Sequence, residues 1–124
     1  MPELALTLPV LQGKRGDLEE LARVVLVQRK KEYEESRRRL KIDRESWFFE
    51  CTVQGDAWVL YEEGKNVGDS FASWVASAEP FDVWLKQQIR EITGIDFSGP
   101  IPNPPSIRLL KYPFEEARLG RVWP

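Results

Sequence analysis

The chain has no histidine, one cysteine and one methionine in 124 residues. Without His it lacks the commonest general base and metal ligand, and one Cys excludes an internal disulfide and a thiolate zinc site. Long apolar runs are also missing. The longest, Ala57 to Tyr61, has five residues, against roughly 18 for a membrane helix. The opening Met1-Pro2-Glu3-Leu4 carries no basic segment ahead of an apolar one, so no secretory signal is expected. Gly13-Lys14-Arg15-Gly16 lacks the spacing of a phosphate loop, and no calcium-type loop or internal repeat occurs. What is present is globular: 42% hydrophobic residues, 31% charged and five Trp, aromatics that a disordered chain does without. The expectation is a soluble, cytoplasmic, single domain over 1–124, with a Pro-rich connector at 98–105, a C-terminal tail at 113–124 and no membrane segment.

Net charge is −2, which gives no general attraction to nucleic acid. Its distribution is uneven: Lys14 to Glu45 holds 11 basic and 8 acidic residues, a local +3, and Ser46 to Gly99 holds 3 and 9, a local −6. The triplets Arg29-Lys30-Lys31 and Arg37-Arg38-Arg39 are interleaved with Glu32, Glu34 and Glu35. That pattern suits a solvated helix face stitched by Glu19–Arg23, Glu34–Arg38 and Glu35–Arg39 better than a nucleic-acid stripe.

Alternation from Leu4 to Leu11 predicts a strand that ends near Pro9. Asp17 and Glu20 resemble a capping box ahead of a helix of about six turns, reaching Leu40 without Gly or Pro. Ser46–Gln54 and Ala57–Glu62 flank Gly55-Asp56 as a hairpin. Helices follow over Val67–Ser77 and from Pro80 to Gly94, then a strand over Ser106–Tyr112 and a helical turn at Phe114–Leu119. The order β, long α, hairpin, α-α, β predicts an α+β, ferredoxin-like split βαβ fold with one antiparallel sheet and helices on one face. With Phe48, Trp58, Leu60, Leu110 and Tyr112 opposite Trp47, Phe49, Val59, Ile107 and Leu109, both faces are apolar. A homodimer packed sheet to sheet is therefore expected, burying on the order of 2,000 Å².

On the segments LTLPVLQGK (Leu6–Lys14), RKKEYEESRRRLKIDRESWF (Arg29–Phe48) and EPFDVWLKQQIREITGIDFS (Glu79–Ser98), the chain resembles the dimeric α/β-barrel superfamily. That superfamily includes antibiotic-biosynthesis monooxygenase-like and ethyl-tert-butyl-ether-degradation-like proteins. Within it the chain looks most like a bacterial domain-of-unknown-function family, over about Ala5 to Ser98. The resemblance implies the fold, a dimer and a cavity between sheet and helices that takes haem or polyketide-like aromatics in some members. Haem-binding members offer a His, which this chain lacks, so no cofactor is expected.

The aromatic set Trp47, Phe49, Trp58, Phe71, Trp74, Phe81 and Trp84 either lines a pocket for a flat apolar ligand or fills the core. Tyr33 and Arg37, four residues apart on the long helix, either decorate the surface or overhang that pocket, where a guanidinium would ease phenolate formation. Glu50 reads as an inward carboxylate at a dimer seam or a solvated edge residue, and Cys51 as a small buried apolar residue. The expected ligand-binding residues are Tyr33, Arg37, Trp47, Phe49, Trp74 and Trp84, with no metal site and no catalytic residue assigned. The expected function is binding of a small apolar or aromatic molecule, possible for a cofactor-independent monooxygenase-like enzyme; the alternative is a non-catalytic dimeric module filled by its own side chains.

Overall fold

A computed structural model describes residues 2–101 and 105–113. Strand β1 (Glu3–Pro9) buries Leu4 and Leu8 and leaves Ala5 and Thr7 in solvent, the alternation its sequence dictates. Helical backbone then runs in three pieces: α1 (Arg15–Arg23), a π turn (Val24–Gln28) and α2 (Lys30–Arg39). The expected uninterrupted helix is thus broken by a wider turn, which takes in one extra residue and re-phases the face beyond it. Leu21 and Val25 go inward, and Leu26 and Val27 are left two-thirds exposed. Asp17 lies in the first turn of α1 rather than at its cap, which is Lys14.

Strand β2 (Ile42–Thr52) begins four residues earlier than its alternation suggests, and β3 (Gly55–Gly64) extends to the glycine. Helix α3 (Val67–Ala76) is capped by Asn66, whose side chain accepts from the Asp69 N–H. Helix α4 (Pro80–Thr93) has Pro80 in its first turn and stops at Gly94, whose φ of 78° is easy for glycine alone.

The sheet is antiparallel with order β1-β3-β2, so β3 lies between the two strands that the long helical segment connects. Three inward rows cross it: Leu4–Glu62–Glu45, Leu6–Leu60–Trp47 and Leu8–Trp58–Phe49. Trp58 and Leu60 therefore share a face with Trp47 and Phe49, not the opposite face as expected. One core joins these rows to Leu18, Leu21, Val25, Phe71, Trp74, Phe81, Leu85 and Ile89 of the helices. Trp58, on the central strand, is fully buried.

Two further expectations are corrected. Cys51 is exposed, one residue from the end of the edge strand β2. Residues 106–112 form no strand; at the open edge of β1 the Ala5 N–H donates to the Ser106 hydroxyl (3.3 Å) and Arg108 pairs with Glu3 (3.0 Å). Side chains thus take up positions where a main-chain ladder would otherwise form. The turn expected at Phe114–Leu119 lies outside the described residues.

At Gly64 the end of β3 packs closely against the turn that leads into β2 and against the start of α3. A Cβ there would stand 2.6 Å from the Lys41 carbonyl oxygen and 3.2 Å from Val67 Cγ1. Gly64→Ala is expected to destabilise the fold by about 1–3 kcal/mol, because the obstacle is backbone that cannot rotate away. Urea denaturation checks this, and an unchanged midpoint would show that the contact relaxes freely.

Candidate functional site

The turn out of α2 decides what the sheet presents to the helices. Lys41 adopts φ 61°, an uncommon left-handed conformation for a residue with a side chain, and swings the chain into β2 at Ile42. A register irregularity between Ile42 and Arg44 follows. Beyond it Glu45 points inward, directly opposite Glu62 on β3. Two carboxyl groups thereby face each other on the helix-covered side of the sheet, where side chains across an antiparallel pair are within contact.

Four groups hold Glu45. Tyr33 Oη donates to Oε2 at 2.7 Å, Trp47 Nε1 donates to the same oxygen at 2.8 Å, and Arg37 Nη1 donates to Oε1 at 2.6 Å. The fourth is the Glu62 carboxyl, which is hydrogen-bonded to it. The same Arg37 nitrogen lies 3.5 Å from Glu62 Oε2. Ser36, itself buried, accepts from Arg37 Nε at 3.0 Å and donates to the Tyr33 carbonyl at 2.9 Å, which fixes the guanidinium against its own helix. The side chain of Glu45 is 3% exposed and that of Arg37 12%, so this ion pair is shielded from bulk screening, unlike the surface pairs on α1.

The environment separates the two carboxyls. Burial opposes ionisation of Glu45, but the hydrogen bond from Glu62, the Arg37 charge and the donors Tyr33 and Trp47 outweigh it and hold Glu45 below the usual carboxylate range. Glu62 is pushed up to about 9 by burial and by the hydrogen bond and charge of Glu45. At neutral pH the pair therefore holds one proton, on the Glu62 side. Burial and the Glu45 charge also raise Tyr33 well above the ordinary phenol range. The Arg37 charge favours the phenolate, as the sequence suggested, but burial and Glu45 outweigh it, and Tyr33 is a neutral donor.

Two spaces adjoin this cluster. An inner cavity of about 30 Å³ lies between the sheet and α3 and α4, bounded by Arg37, Glu45, Trp47, Trp58, Glu62, Phe71 and Trp74 among others. An outer cleft of about 190 Å³ is walled by Ala22, Val25, Leu26, Tyr33, Glu45 and Trp47. Glu45 and Trp47 belong to both walls. The outer cleft lies against the π turn, a feature that recurs at functional sites.

Of the six residues expected to bind ligand, Tyr33, Arg37 and Trp47 converge on Glu45, and Trp74 lines the inner cavity. The other two stand elsewhere. Phe49 is covered by the Arg15 guanidinium (4.4 Å), and Trp84 lies under Arg29 (4.1 Å) beside a separate cleft of about 150 Å³. Glu50 is exposed. The expected helix pairs rearrange: Arg15 takes Glu19, Arg23 takes Glu20, Lys30 takes Glu34 and Arg39 reaches Asp82. Arg37 is thereby turned inward and Arg39, itself exposed, reaches down to the buried Asp82, so the basic triplets do not share one outer face.

Sequence reasoning missed both carboxylates of the pair. Glu45 stands ahead of the visible alternation, and Glu62 falls beside Glu63, where either could face in. The available signal was the even spacing of Glu45 with Trp47 and of Glu62 with Leu60 and Trp58. Among the described residues no group of three or more His, Cys, Asp or Glu is placed to hold a metal, and no helix is long and apolar enough to cross a membrane. Compared with known proteins, the chain matches no family model, no curated sequence and no solved structure.

Proposed function

We propose that this protein binds a small, mostly apolar or aromatic molecule on the helix-covered side of its sheet and exchanges a proton with it. The observation that carries the reading is the shape and floor of the outer cleft. Its walls are Ala22, Val25 and Leu26, and its polar end is the Tyr33–Glu45–Trp47 cluster, the apolar body and few convergent polar groups usual in ligand sites. Glu45 and Glu62 together supply one proton and one carboxylate, enough for acid–base chemistry on a carbonyl or phenol without a metal or nucleophile. The cofactor-independent monooxygenase-like chemistry of the resembled superfamily belongs to the same class of substrate.

The reading places the chain in the cytoplasm as a homodimer of ferredoxin-like, α/β-barrel type, with residues 105–113 at the edge where a fourth strand would stand. Phe48 and Val59 lie side by side on the uncovered face of the sheet, and Ile107, Leu109 and Leu110 are also exposed. With Trp58 and Leu60 turned inward, this face is less apolar than the sequence suggested. Sedimentation is expected to give twice 14.4 kDa; a single-chain mass overturns the dimer.

The alternative, a non-catalytic module, is favoured by how nearly Trp58, Phe71 and Trp74 fill the inner space. Native mass spectrometry of the purified protein separates the two. A co-purifying small molecule that is lost in Ala22→Trp, which fills the cleft, supports ligand binding. A bare chain that also fails to quench Trp fluorescence with any aromatic probe supports the module.

A further inference from the structure

The two outer strands of the sheet, β1 and β2, differ at their free edges. At β1, Ser106 and Arg108 take up the open side. At β2, no described residue pairs with it. The direction of its main-chain groups follows from its neighbour β3. The Val10 N–H donates to the Asp56 carbonyl at 3.0 Å, so Asp56 turns its main chain toward β1. Cys51, which lies opposite Asp56, is therefore turned away from β3, and with a regular register from Arg44 to Thr52 so are Glu45, Trp47 and Phe49. Solvent exposure agrees. The Glu45 side chain is 3% exposed, yet the residue as a whole is only half-buried, so its main chain is the part that meets water. An open edge of this length is a template for a further strand.

The charges of β2 select the strand it suits. Arg44 and Glu50 both stand exposed on the uncovered face, and neither has an ion-pair partner among the described residues. Six residues apart on one strand, they are separated by about 20 Å and cannot meet. An antiparallel second copy of β2 satisfies both. Pairing centred on Trp47 sets Arg44 directly opposite the partner's Glu50, and Glu50 opposite the partner's Arg44. Moving the centre by one residue faces Arg44 with Phe48 or Thr52 instead. In the Trp47 register, Glu45, Trp47 and Phe49 supply the ladder hydrogen bonds. The charged pairs then fall at the non-hydrogen-bonded positions, where side chains come closest.

The helical layer carries a matching feature. A two-fold axis normal to the sheet keeps both helical layers on one side and passes beside Trp47. Leu26 walls the outer cleft together with Trp47, so it stands at the level of that axis. Leu26 and Val27, on the π turn, are each 66% exposed. They are apolar side chains that the single chain leaves uncovered, placed where a second copy would approach.

We infer that the free edge of β2 is the contact between two copies of this chain, which pair antiparallel about Trp47. The two three-stranded sheets join into one, with reciprocal Arg44–Glu50 pairs on the uncovered face and the two π turns facing each other on the helical side. This inference rests on the homodimer reading above and places the contact at the edge of the sheet instead of its face.

Sedimentation equilibrium of the full-length protein and its charge variants at pH 7 tests it. Arg44→Glu and Glu50→Arg each set like charges across the axis twice. Each is expected to weaken self-association by about tenfold, as two cross-strand pairs turned repulsive should. Arg44→Glu combined with Glu50→Arg in one chain exchanges the charges and should restore the wild-type constant to within about twofold. An equimolar mixture of the two single variants should do the same, because each supplies the charge that the other lacks. Single variants that associate like the wild type overturn the edge contact and leave the homodimer standing. So do losses that neither the exchange nor the mixture recovers. A wild type that sediments as a single chain removes the homodimer reading itself, and the edge contact with it.

Discussion

Arg37→Met is expected to destabilise the protein by about 3–5 kcal/mol at pH 7.5, the usual cost of stripping the partner from a buried charge. Among the described residues Arg37 supplies the only cationic contact to Glu45, whose side chain is 3% exposed, and Met fills a similar volume without charge. The mechanism makes a second statement. Glu45 can escape the penalty by taking up a proton, so the loss should shrink as pH falls toward 5. It also should be largely recovered by Arg37→Met combined with Glu45→Gln, which leaves no charge to strand and keeps an acceptor for Tyr33 and Trp47. Denaturant midpoints at constant m read all three. A loss below 1 kcal/mol in the single variant would mean that water reaches Glu45.

Glu62 gives the second large effect, through pH. Its folded-state pKa of about 9 stands above the ordinary carboxyl value of 4.5, so between these limits the folded chain keeps a proton that the unfolded chain releases. The stability this proton contributes is full below about pH 4.5 and is lost progressively as pH rises through 9. One proton corresponds to a slope of about −1.4 kcal/mol per pH unit. Glu45 is depressed, and its contribution changes only at the acid end, below its ordinary range. From pH 6 to 8.5 the wild type should therefore lose stability relative to Glu62→Gln at close to that slope. Gln preserves the hydrogen bond to Glu45 and cannot ionise. Parallel stability curves for the two proteins would show that Glu62 is already ionised in the folded state.

The first prediction concerns Arg37, a ligand-binding candidate whose burial the sequence left open, and the second Glu62, whose pairing with Glu45 it did not show; the reason is specific. Tyr33 and Arg37 were recognisable as a pair on one helix face. Their burial was not, because two basic triplets with interleaved Glu look the same whether one member turns inward or none does. A π turn ahead of them and the Lys41 turn behind them set that choice, and neither has a reliable signature in a run such as Val24-Val25-Leu26-Val27. Trp47 was chosen for a ligand-site role and donates to Glu45, a partner that lay outside the strand that alternation delimited. Phe49 and Trp84 were chosen for being aromatic, and each is capped by an Arg from a neighbouring helical segment.

Local chemistry determined most of the elements, though not the π turn or the absence of a strand over 106–112: period-two alternation gave β1 to β3, Gly55-Asp56 the hairpin, Pro80 and Gly94 the ends of α4, and their order an antiparallel sheet with helices. Those features depend on residues a few positions apart, whose steric and hydrogen-bonding preferences act without the rest of the chain. Tertiary structure decided strand register, and with it which face holds Trp58 and Leu60 and whether Glu45 meets Glu62. A shift of one residue would turn every one of these side chains to the other face. Register is settled by packing of the whole sheet against the helices, and the proton shared by two buried carboxyls exists only once that packing has excluded water.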